Sequence, residues 1–206
     1  MSATANPEFV LASASPRRRE LLCQIGARFA VCPVDVDETH IPGESPEAYV
    51  QRLAEAKARA ALGRLGPLPV LGSDTTVVVG DTPMGKPGSE AEGVAMLMAL
   101  SGRSHRVLTA VAMVSAERCE WRLSQTLVTF ASLDEDLCRR YWRTGEPADK
   151  AGGYAIQGRG AVFVAAISGS YSGVVGLPLA ETRELLALFG LGYWYPEGLP
   201  GTAAGR

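Results

Sequence analysis

The segment FVLASASPRRR, residues 9–19, is the stretch of sequence that decides how the chain folds. Its first four residues are apolar and are typical of a short strand, which ends at Ser13. Ser15 and Pro16 then predict the start of a helix, because serine is a common N-cap and proline is tolerated at the first helical position. A strand, a serine-rich turn and a helix in this order indicate an α/β fold.

Strand and helix signals continue to alternate along the rest of the chain. The second half adds two long β-rich stretches that we interpret as an antiparallel hairpin around residues 116–120. The pattern predicts an α/β fold with a mixed sheet. We find no fixed-period repeat and no linker, so we expect one domain over residues 1–206, with two lobes around a cleft as an alternative, and a tail over residues 191–206. The predicted strands are 9–12, 29–34, 69–71, 75–79, 103–115, 121–131 and 161–167, and the predicted helices are 15–26, 45–62, 89–100, 134–142 and 179–189.

The composition is that of an ordinary globular protein with little net charge. The 206 residues are 47% hydrophobic and 20% charged, and the chain is long enough to bury a sizeable core. Lys+Arg is 20 and Asp+Glu is 22, so the net charge is -2. This balance gives no electrostatic signal for duplex nucleic acid or an anionic membrane, but it leaves room for a small anionic ligand held by local cations.

Neither a membrane span nor a leader peptide is predicted. The longest apolar stretches, such as residues 161–167, fall well short of the roughly 18–20 residues that span a bilayer. No basic region followed by an apolar run opens the chain. The four cysteines form no CxxC pair, so we expect reduced thiols in the cytoplasm rather than a zinc site or a disulfide framework. They are Cys23, Cys32, Cys119 and Cys138.

Three arginines occupy the first turn of the first predicted helix. Cations at a helix N-terminus oppose the helix dipole, so Arg17, Arg18 and Arg19 are placed where they cost stability. Free backbone N–H groups together with guanidinium groups make a good site for phosphate. Three solvated surface arginines are the alternative, but the strand-turn-helix context favours the phosphate site.

A lysine lies on the apolar face of the helix that begins near Pro46. Lys57 is seven residues after Val50, on the same stripe as Leu53 and Ala54. A lysine there extends to solvent, pairs with a carboxylate or meets an anionic ligand. The sequence leaves these alternatives open.

Acidic residues occur at two positions that could form a site. Asp74 lies between two apolar β-rich runs, where it either closes an Asx turn or is a site carboxylate at a strand end. The loop at residues 35–38 adds Asp35, Asp37 and Glu38. Grouped carboxylates near arginines suit Mg²⁺ held between protein and phosphate oxygens, and a solvated acidic loop is the alternative.

Three further polar features have weaker functional signals. Residues 80–86 imitate a phosphate loop, but Pro87 follows Lys86 where a serine or threonine is needed, so we reject a Walker A motif and keep Lys86 as a phosphate contact from an extended loop. His105 alternates with apolar residues and is interpreted as a hydrogen-bonded structural histidine. The glycine-rich loop at residues 151–160 lets the backbone approach something closely, and Gln157 carries its side-chain amide.

Taken together, these motifs resemble the Maf family of nucleoside triphosphate pyrophosphatases, over residues 9 to about 189. The most specific part is LASASPRR at residues 11–18. The further motifs are AKARA at 56–60, GSDT at 72–75, GKP at 85–87, Ser101-Gly102 with His105, DKAG at 149–152, YAIQG at 154–158, GSY at 169–171 and VVGLP at 174–178.

The resemblance implies a fold, an activity and a set of site residues. The fold is an elongated, mixed α/β sheet with a central cleft, similar to that of inosine triphosphate pyrophosphatases. The activity is cleavage of a nucleotide between the α and β phosphates, with a divalent metal, in the branch that acts on dTTP and UTP. Asp74 matches the catalytic proton acceptor. The other matching site residues are Ser13, Arg17, Arg18, Glu38, Lys57, Thr75, Lys86 and Gln157.

Separate tasks are expected of these residues. Mg²⁺ or Mn²⁺ is expected on Asp74 and Glu38, with Asp74 also acting on the attacking water. Arg18, Lys57 and Lys86 are expected to neutralise the pyrophosphate leaving group, and Arg17, Thr75 and Gln157 to set the base preference. The list of substrates extends to modified uridine nucleotides, and a homodimer is an expectation that rests on the resemblance alone.

The alternative function is that of a regulator of cell division, which would bind a nucleotide in the same pocket without hydrolysing it. The acidic position of Asp74 favours the enzyme, because a sensor needs no base. Two departures from the family pattern are visible: Ser73 stands where alanine is usual, and Ser172 stands where asparagine often follows the Gly-Ser-Tyr motif.

Overall fold

The computed structural model describes residues 6–195, which form one mixed sheet with helices on both faces. Its strand order is β2-β1-β3-β5-β6-β7, and β4 pairs with β3. The strands are β1 Phe9–Leu11, β2 Phe29–Val31, β3 Val70–Val79, β4 Thr82–Met84, β5 Ser104–Val114, β6 Cys119–Phe130 and β7 Val164–Ser168. The helices are α1 Pro16–Gln24, α2 Pro46–Ala61, α3 Glu90–Leu100, α4 Glu135–Trp142, α5 Tyr171–Val175 and α6 Leu179–Leu188, and short 3₁₀ turns occupy Glu146–Asp149, Ala151–Gly153 and Arg159–Phe163.

The predicted fold class is confirmed. β1 pairs in parallel with β2 and β3, whereas β3, β5, β6 and β7 pair with one another in antiparallel fashion. The parallel pairs are joined by the helices α1 and α2, as parallel strands require a crossover connection. The hairpin of β5 and β6 lies where the two long β-rich stretches predict it, with its turn at residues 115–118.

The prediction for residues 69–79 is wrong in one respect. Two short strands separated by a turn were expected, but β3 runs without interruption from Val70 to Val79. Asp74 therefore lies in the middle of a strand, paired with Ala110 of β5, and not in a turn or at the end of its own strand. The sequence predicts a turn because it contains Gly72, but this glycine is required by the close approach of the helix α2.

Smaller corrections concern the C-terminal part of the chain. Residues 161–167 were predicted as a strand, but a 3₁₀ turn extends to Phe163 and β7 begins at Val164. Residues 191–195 were assigned to the tail, but Leu191 and Tyr193 pack against a core cluster and Trp194 N donates to Ile25 O. Residues 196–206 of the predicted tail lie outside the described residues.

The two faces of the sheet are covered by different helices. Apolar residues of α2, including Val50, Ala54 and Ala58, pack on the face that carries Val70 and Val78. On the other face, one buried cluster joins β3 and β5 to α1 and α6, and another joins the sheet to α3 and α4. β3 lies between these layers, so side chains on its two faces reach different helices.

The helix α2 approaches β3 unusually closely at Gly72. A Cβ atom added there would lie 2.2 Å from Ala54 O and 2.7 Å from Ala58 N, both of them backbone atoms of the helix. Glycine is the residue that allows such an approach. The helix is thereby held against the part of β3 that carries Asp74.

One edge of β3 is open in its middle. β5 pairs with β3 along Val70–Val78, so β1 and β4 must share the opposite edge. β1 pairs only with Val70 and Leu71, and β4 pairs only with Val77, Val78 and Val79. The gap between them leaves residues 72–76 of β3 without a partner among the described strands on this edge, directly beside the turn between β1 and α1.

Candidate active site

A cavity of about 940 Å³ opens at this gap in the sheet. Its walls come from the β1–α1 turn, the loop before α2, the middle of β3, the loop after β4 and the glycine-rich loop. All nine site residues expected from the sequence line it, although they are scattered over 145 positions. They are Ser13, Arg17, Arg18, Glu38, Lys57, Asp74, Thr75, Lys86 and Gln157.

Some charged residues that are close in sequence to these nine do not line the cavity. Arg19 is exposed and, unlike Arg17 and Arg18, is not one of the described lining residues. Asp37 is exposed, and its Oδ1 accepts a hydrogen bond from Thr39 N at 2.9 Å. Of the acidic loop, Glu38 is therefore the carboxylate that faces the cavity.

Lys57 joins two carboxylates across the cavity floor. Its Nζ lies 2.6 Å from Asp74 Oδ1 and 2.6 Å from Glu38 Oε1. The sequence leaves three alternatives open for Lys57, and the structure shows the one in which it pairs with carboxylates. The helix α2 carries Lys57 to this point because Ala54 and Ala58, on the same face, pack directly on Gly72 of β3.

The environment shifts the two carboxyl groups in opposite directions. Asp74 is 7% exposed, and burial raises its pKa above the ordinary value, although the charges of Lys57 and Arg18 oppose the shift. Burial also acts to raise the pKa of Glu38, but the hydrogen bond and charge of Lys57 outweigh it, and the pKa of Glu38 is lowered overall. A buried acid with a raised pKa is suited to accepting a proton near neutral pH.

Arg18 links the β1–α1 turn to the other face of β3. Its Nε donates to Gly176 O at 2.8 Å, its Nη1 to Ser13 Oγ at 3.2 Å and its Nη2 to Thr75 Oγ1 at 3.4 Å. Thr75 and Asp74 are adjacent in a strand, so they point to opposite faces. The guanidinium group therefore lies beside the open edge of β3, where its charge also acts on Asp74.

Two loops contribute a lysine and an amide to the cavity. Lys86 follows β4 in the loop before α3, and its charge lowers the pKa of Glu38. The loop does not continue into a helix at Lys86, since α3 begins only at Glu90, in agreement with the rejection of a Walker A motif. Gln157 is exposed at the tip of the glycine-rich loop and lines the cavity.

Sequence reasoning missed several residues that hold this site in place. Tyr49 lines the cavity, and its hydroxyl donates to Glu38 O at 3.0 Å. Thr109 Oγ1 donates to Gly173 O at 2.8 Å and lies 3.0 Å from Thr75 Oγ1. Tyr49 and Thr109 form these hydrogen bonds with residues that are distant in the sequence, so no local sequence pattern could have indicated them.

His105 is buried outside the cavity lining of the described residues, as its alternation with apolar residues predicts. Its Nε2 lies 2.8 Å from Tyr154 OH, and its ring packs edge-on against Phe130. Burial lowers the pKa of His105 to about 4. The ring is therefore neutral near pH 7 and is suited to structure rather than to proton transfer.

The residues present fit a metal that is shared with a substrate. Within residues 6–195, no group of three or more His, Cys, Asp or Glu side chains could form an all-protein metal site. However, Asp74 and Glu38 converge on one ammonium group, so a cation already lies between their oxygens. Carboxylate oxygens are the donors that Mg²⁺ and Mn²⁺ prefer, and substrate phosphates commonly complete such sites.

Comparison with known proteins identifies the family. A family model described as Maf-like protein matches residues 8–189. The chain belongs to the Maf family. Among its relatives is a protein of Saccharophagus degradans, named dTTP/UTP pyrophosphatase, which is 56% identical over 191 residues that cover 91% of each chain.

Other Maf relatives carry the same name. The dTTP/UTP pyrophosphatase of Alkalilimnicola ehrlichii is 52% identical and covers 91% of this chain and 95% of its own. That of Pseudoalteromonas atlantica is 50% identical and covers 89% and 98%. Among solved structures, the Staphylococcus aureus Ham1 protein matches with a TM-score of 0.47 and 16% identity, over 88% of this chain and 96% of its own.

The structure accounts for the two departures from the Maf pattern. The buried Ser73 Oγ donates to Gly176 O at 3.0 Å, the same carbonyl that accepts from Arg18. Ser172 Oγ accepts from Leu179 N at 3.0 Å and so connects α5 to the start of α6. Both hydroxyl groups therefore have local structural partners in this member of the Maf family.

Two further features of this Maf chain are structural. All four cysteines lie within residues 6–195 and are free thiols. No helix within the described residues is both long enough and apolar enough to span a bilayer.

Proposed function

We propose that this chain hydrolyses dTTP and UTP to the nucleoside monophosphate and pyrophosphate. One observation carries the proposal: a buried carboxylate, Asp74, lines one cavity of triphosphate-binding size together with three separate cations. The cations are Arg18, Lys57 and Lys86. The names of the Maf relatives supply the substrate class.

In the proposed reaction, the chain binds the triphosphate through its cations and acts on water through its acid. Arg18, Lys57 and Lys86 bind the β and γ phosphates and neutralise the charge that develops on the leaving pyrophosphate. Asp74 orients the water that attacks the α phosphate and accepts its proton.

A divalent metal is part of the proposal. Asp74 and Glu38 would hold Mg²⁺ or Mn²⁺ together with phosphate oxygens, and Lys57 would then turn to the phosphates. When bound, the metal supplies positive charge that polarises the phosphate and favours deprotonation of water. Tyr49 supports this role indirectly, because its bond to Glu38 O holds the loop that carries Glu38.

Base selection is assigned to a second group of lining residues. Burial acts to raise the pKa of Asp149, which lines the cavity, but the hydrogen bond and charge of Lys150 outweigh it and the pKa is lowered overall. Arg17 lies in the first turn of α1, and its charge adds to this lowering. Together with Gln157 and Thr75, it is proposed to bind the pyrimidine. A location in the cytoplasm and a homodimer stay predictions.

The test is release of pyrophosphate from a panel of nucleotides, including modified uridine nucleotides, with Mg²⁺ or Mn²⁺. Asp74→Asn should keep the fold and lower kcat by about 10²–10³, the usual effect of removing one preorganised charge. Asp81→Asn is the matched control, because Asp81 is a fully exposed aspartate whose ion pair is with Arg106.

Two results would overturn the proposal. A rate for Asp74→Asn near that of the wild type would remove Asp74 from the mechanism. Wild-type protein that binds dTTP and releases no pyrophosphate would exclude the enzyme and favour the regulator of cell division.

A further inference from the structure

A carboxylate and a phenol lie behind the wall of the cavity that carries Gln157. Glu146 begins the 3₁₀ turn after α4, and Tyr141 lies in the last part of α4 with 5% of its surface exposed. Tyr141 OH donates to Glu146 Oε1 at 2.7 Å. Neither residue is assigned a task in the proposed reaction.

This pair accepts backbone hydrogen bonds from both sides of Gln157. Tyr141 OH accepts from Ala155 N at 3.1 Å, two residues before Gln157. Glu146 Oε2 accepts from Arg159 N at 3.0 Å, and Oε1 accepts from Gly160 N at 3.0 Å, just after it. The loop is thus fixed on both flanks, and Gln157 stands at its tip.

Two glycines of the loop are explained by the same pair. A Cβ atom at Gly158 would lie 2.4 Å from Glu146 Oε2, and one at Gly160 would lie 2.7 Å from Tyr141 OH. The close approach that the glycine-rich sequence indicates is therefore made to Glu146 and Tyr141.

Glu146 and Tyr141 keep the protonation states that these hydrogen bonds need near pH 7. The hydrogen bonds from Tyr141, Arg159 N and Gly160 N outweigh burial and lower the pKa of Glu146 below its ordinary value, so the group is an ionised acceptor near pH 7. Burial and the neighbouring carboxylate raise the pKa of Tyr141, so it stays a donor. Hydrogen bonds to a charged group are stronger than those between neutral groups.

We infer that Glu146 is a positioning residue for base selection: with Tyr141, it fixes residues 155–160 so that Gln157 is presented to the nucleotide base. The inference rests on the proposed function, since it deepens the assignment of Gln157. The described side-chain hydrogen bonds of Glu146 go to Tyr141, Arg159 and Gly160, whereas Asp74 and Lys57 lie on β3 and α2, so the effect belongs to base preference and KM rather than to kcat.

The experiment compares kcat and KM for dTTP with those for dCTP in Glu146→Gln. The amide keeps the volume but has one oxygen for three donors, and its NH₂ group faces a backbone N–H. We expect the preference for dTTP over dCTP, as the ratio of kcat/KM, to fall about fivefold, the effect of one lost hydrogen bond, with kcat for dTTP nearly unchanged. Glu135→Gln in α4 is the control and should keep the wild-type ratio, because Glu135 is exposed and pairs with Arg139.

A double-mutant cycle separates positioning from a merely structural role. If Glu146 acts through Gln157, Glu146→Gln should change the dTTP/dCTP ratio in the wild type and leave it unchanged in Gln157→Ala. Equal changes of the ratio in both backgrounds, or equal losses for all nucleotides, would overturn the inference. If Glu146→Gln does not fold, Tyr141→Phe gives the same comparison, because it removes the acceptor for Ala155 N.

Failure of the proposed function would look different. Wild-type protein without turnover of any nucleotide would contradict the proposed hydrolysis, whatever the variants do. In that case the cycle is measured by calorimetric binding of dTMP and dCMP, where the same loss of preference through Gln157 supports the inference and an unchanged preference overturns it.

Discussion

Gly72→Ala tests how closely α2 must approach β3 for the site to form. The added methyl group would lie 2.2 Å from Ala54 O and 2.7 Å from Ala58 N, whereas ordinary contacts are 3.4–4 Å. Both atoms belong to helix backbone, so no side-chain rotation can relieve the clash. The helix must retreat by about 1 Å, as overpacked cores do by shifting backbone.

The magnitude follows from this displacement. Overpacking of a core costs about 1–3 kcal/mol, and a chain of this size loses roughly 2–4 °C in Tm for each kcal/mol. Lys57 moves with α2, so its 2.6 Å contact with Asp74 should lengthen. Misplacement of a site group by about 1 Å can lower the rate about 10²-fold.

Thermal unfolding and steady-state pyrophosphate release, measured well below the Tm of the variant, check the two effects separately. Gly88→Ala is the matched control, because a Cβ atom at Gly88 meets only the end of the Glu92 side chain, at 3.2 Å. The control should keep both Tm and rate. Wild-type values for Gly72→Ala would refute the argument that this glycine sets the position of α2.

Three further predictions concern single residues. Arg17→Ala should change the ratio of kcat/KM between dTTP and other nucleotides more than it changes Tm, and an unchanged ratio would count against its role in base selection. Ser73→Ala should lower the free energy of unfolding in urea by about 1 kcal/mol with little change in kcat, because Arg18 still donates to Gly176 O; a tenfold loss of rate would contradict this. His105 has a pKa of about 4 when folded and 6.5 when unfolded, so the unfolded chain binds more protons and stability falls by up to about 3 kcal/mol as the pH falls through that window. Urea titrations of His105→Gln should show a smaller fall between pH 7 and pH 4, and parallel curves for the two proteins would rule out this explanation.

Local signals in the sequence were enough for most of the fold. The helices at Pro46–Ala61 and Glu90–Leu100 begin directly after serine N-caps. The side chain of each serine, Ser45 and Ser89, accepts a hydrogen bond from the backbone N–H three residues later. The β5–β6 hairpin follows from two long runs of β-rich sequence. These features depend on neighbours in the chain, which a sequence displays directly.

The position of Asp74 could not be predicted in the same way. Gly72 normally indicates a turn or bulge within a strand, but here it serves the packing of α2. The open edge of β3 beside Asp74 depends on where β1 and β4 stop, which the composition of β3 does not reveal. The resemblance to a known family named the site residues, and the roles assigned to them remain predictions.

Residues that act at a distance left the weakest signal. Glu146 appears in the sequence as an ordinary surface glutamate before a proline, and Tyr141 as a helix residue. Their bonds to residues 155–160 arise only when α4 and the glycine-rich loop are packed together. The glycines of that loop were the one visible sign, and they did not reveal their partner.

The bond between Arg18 Nε and Gly176 O joins two residues that are 158 positions apart. During synthesis, Arg18 leaves the ribosome early, whereas Gly176 follows only after all seven strands have been made. A nascent chain therefore carries Asp74 and all three phosphate-binding cations without the carbonyl that orients the guanidinium group. The nucleotide pocket is therefore complete only when synthesis has passed Gly176. Cleavage of the chain before α5 would remove this carbonyl and disable the site, although Asp74 lies far upstream of the cut.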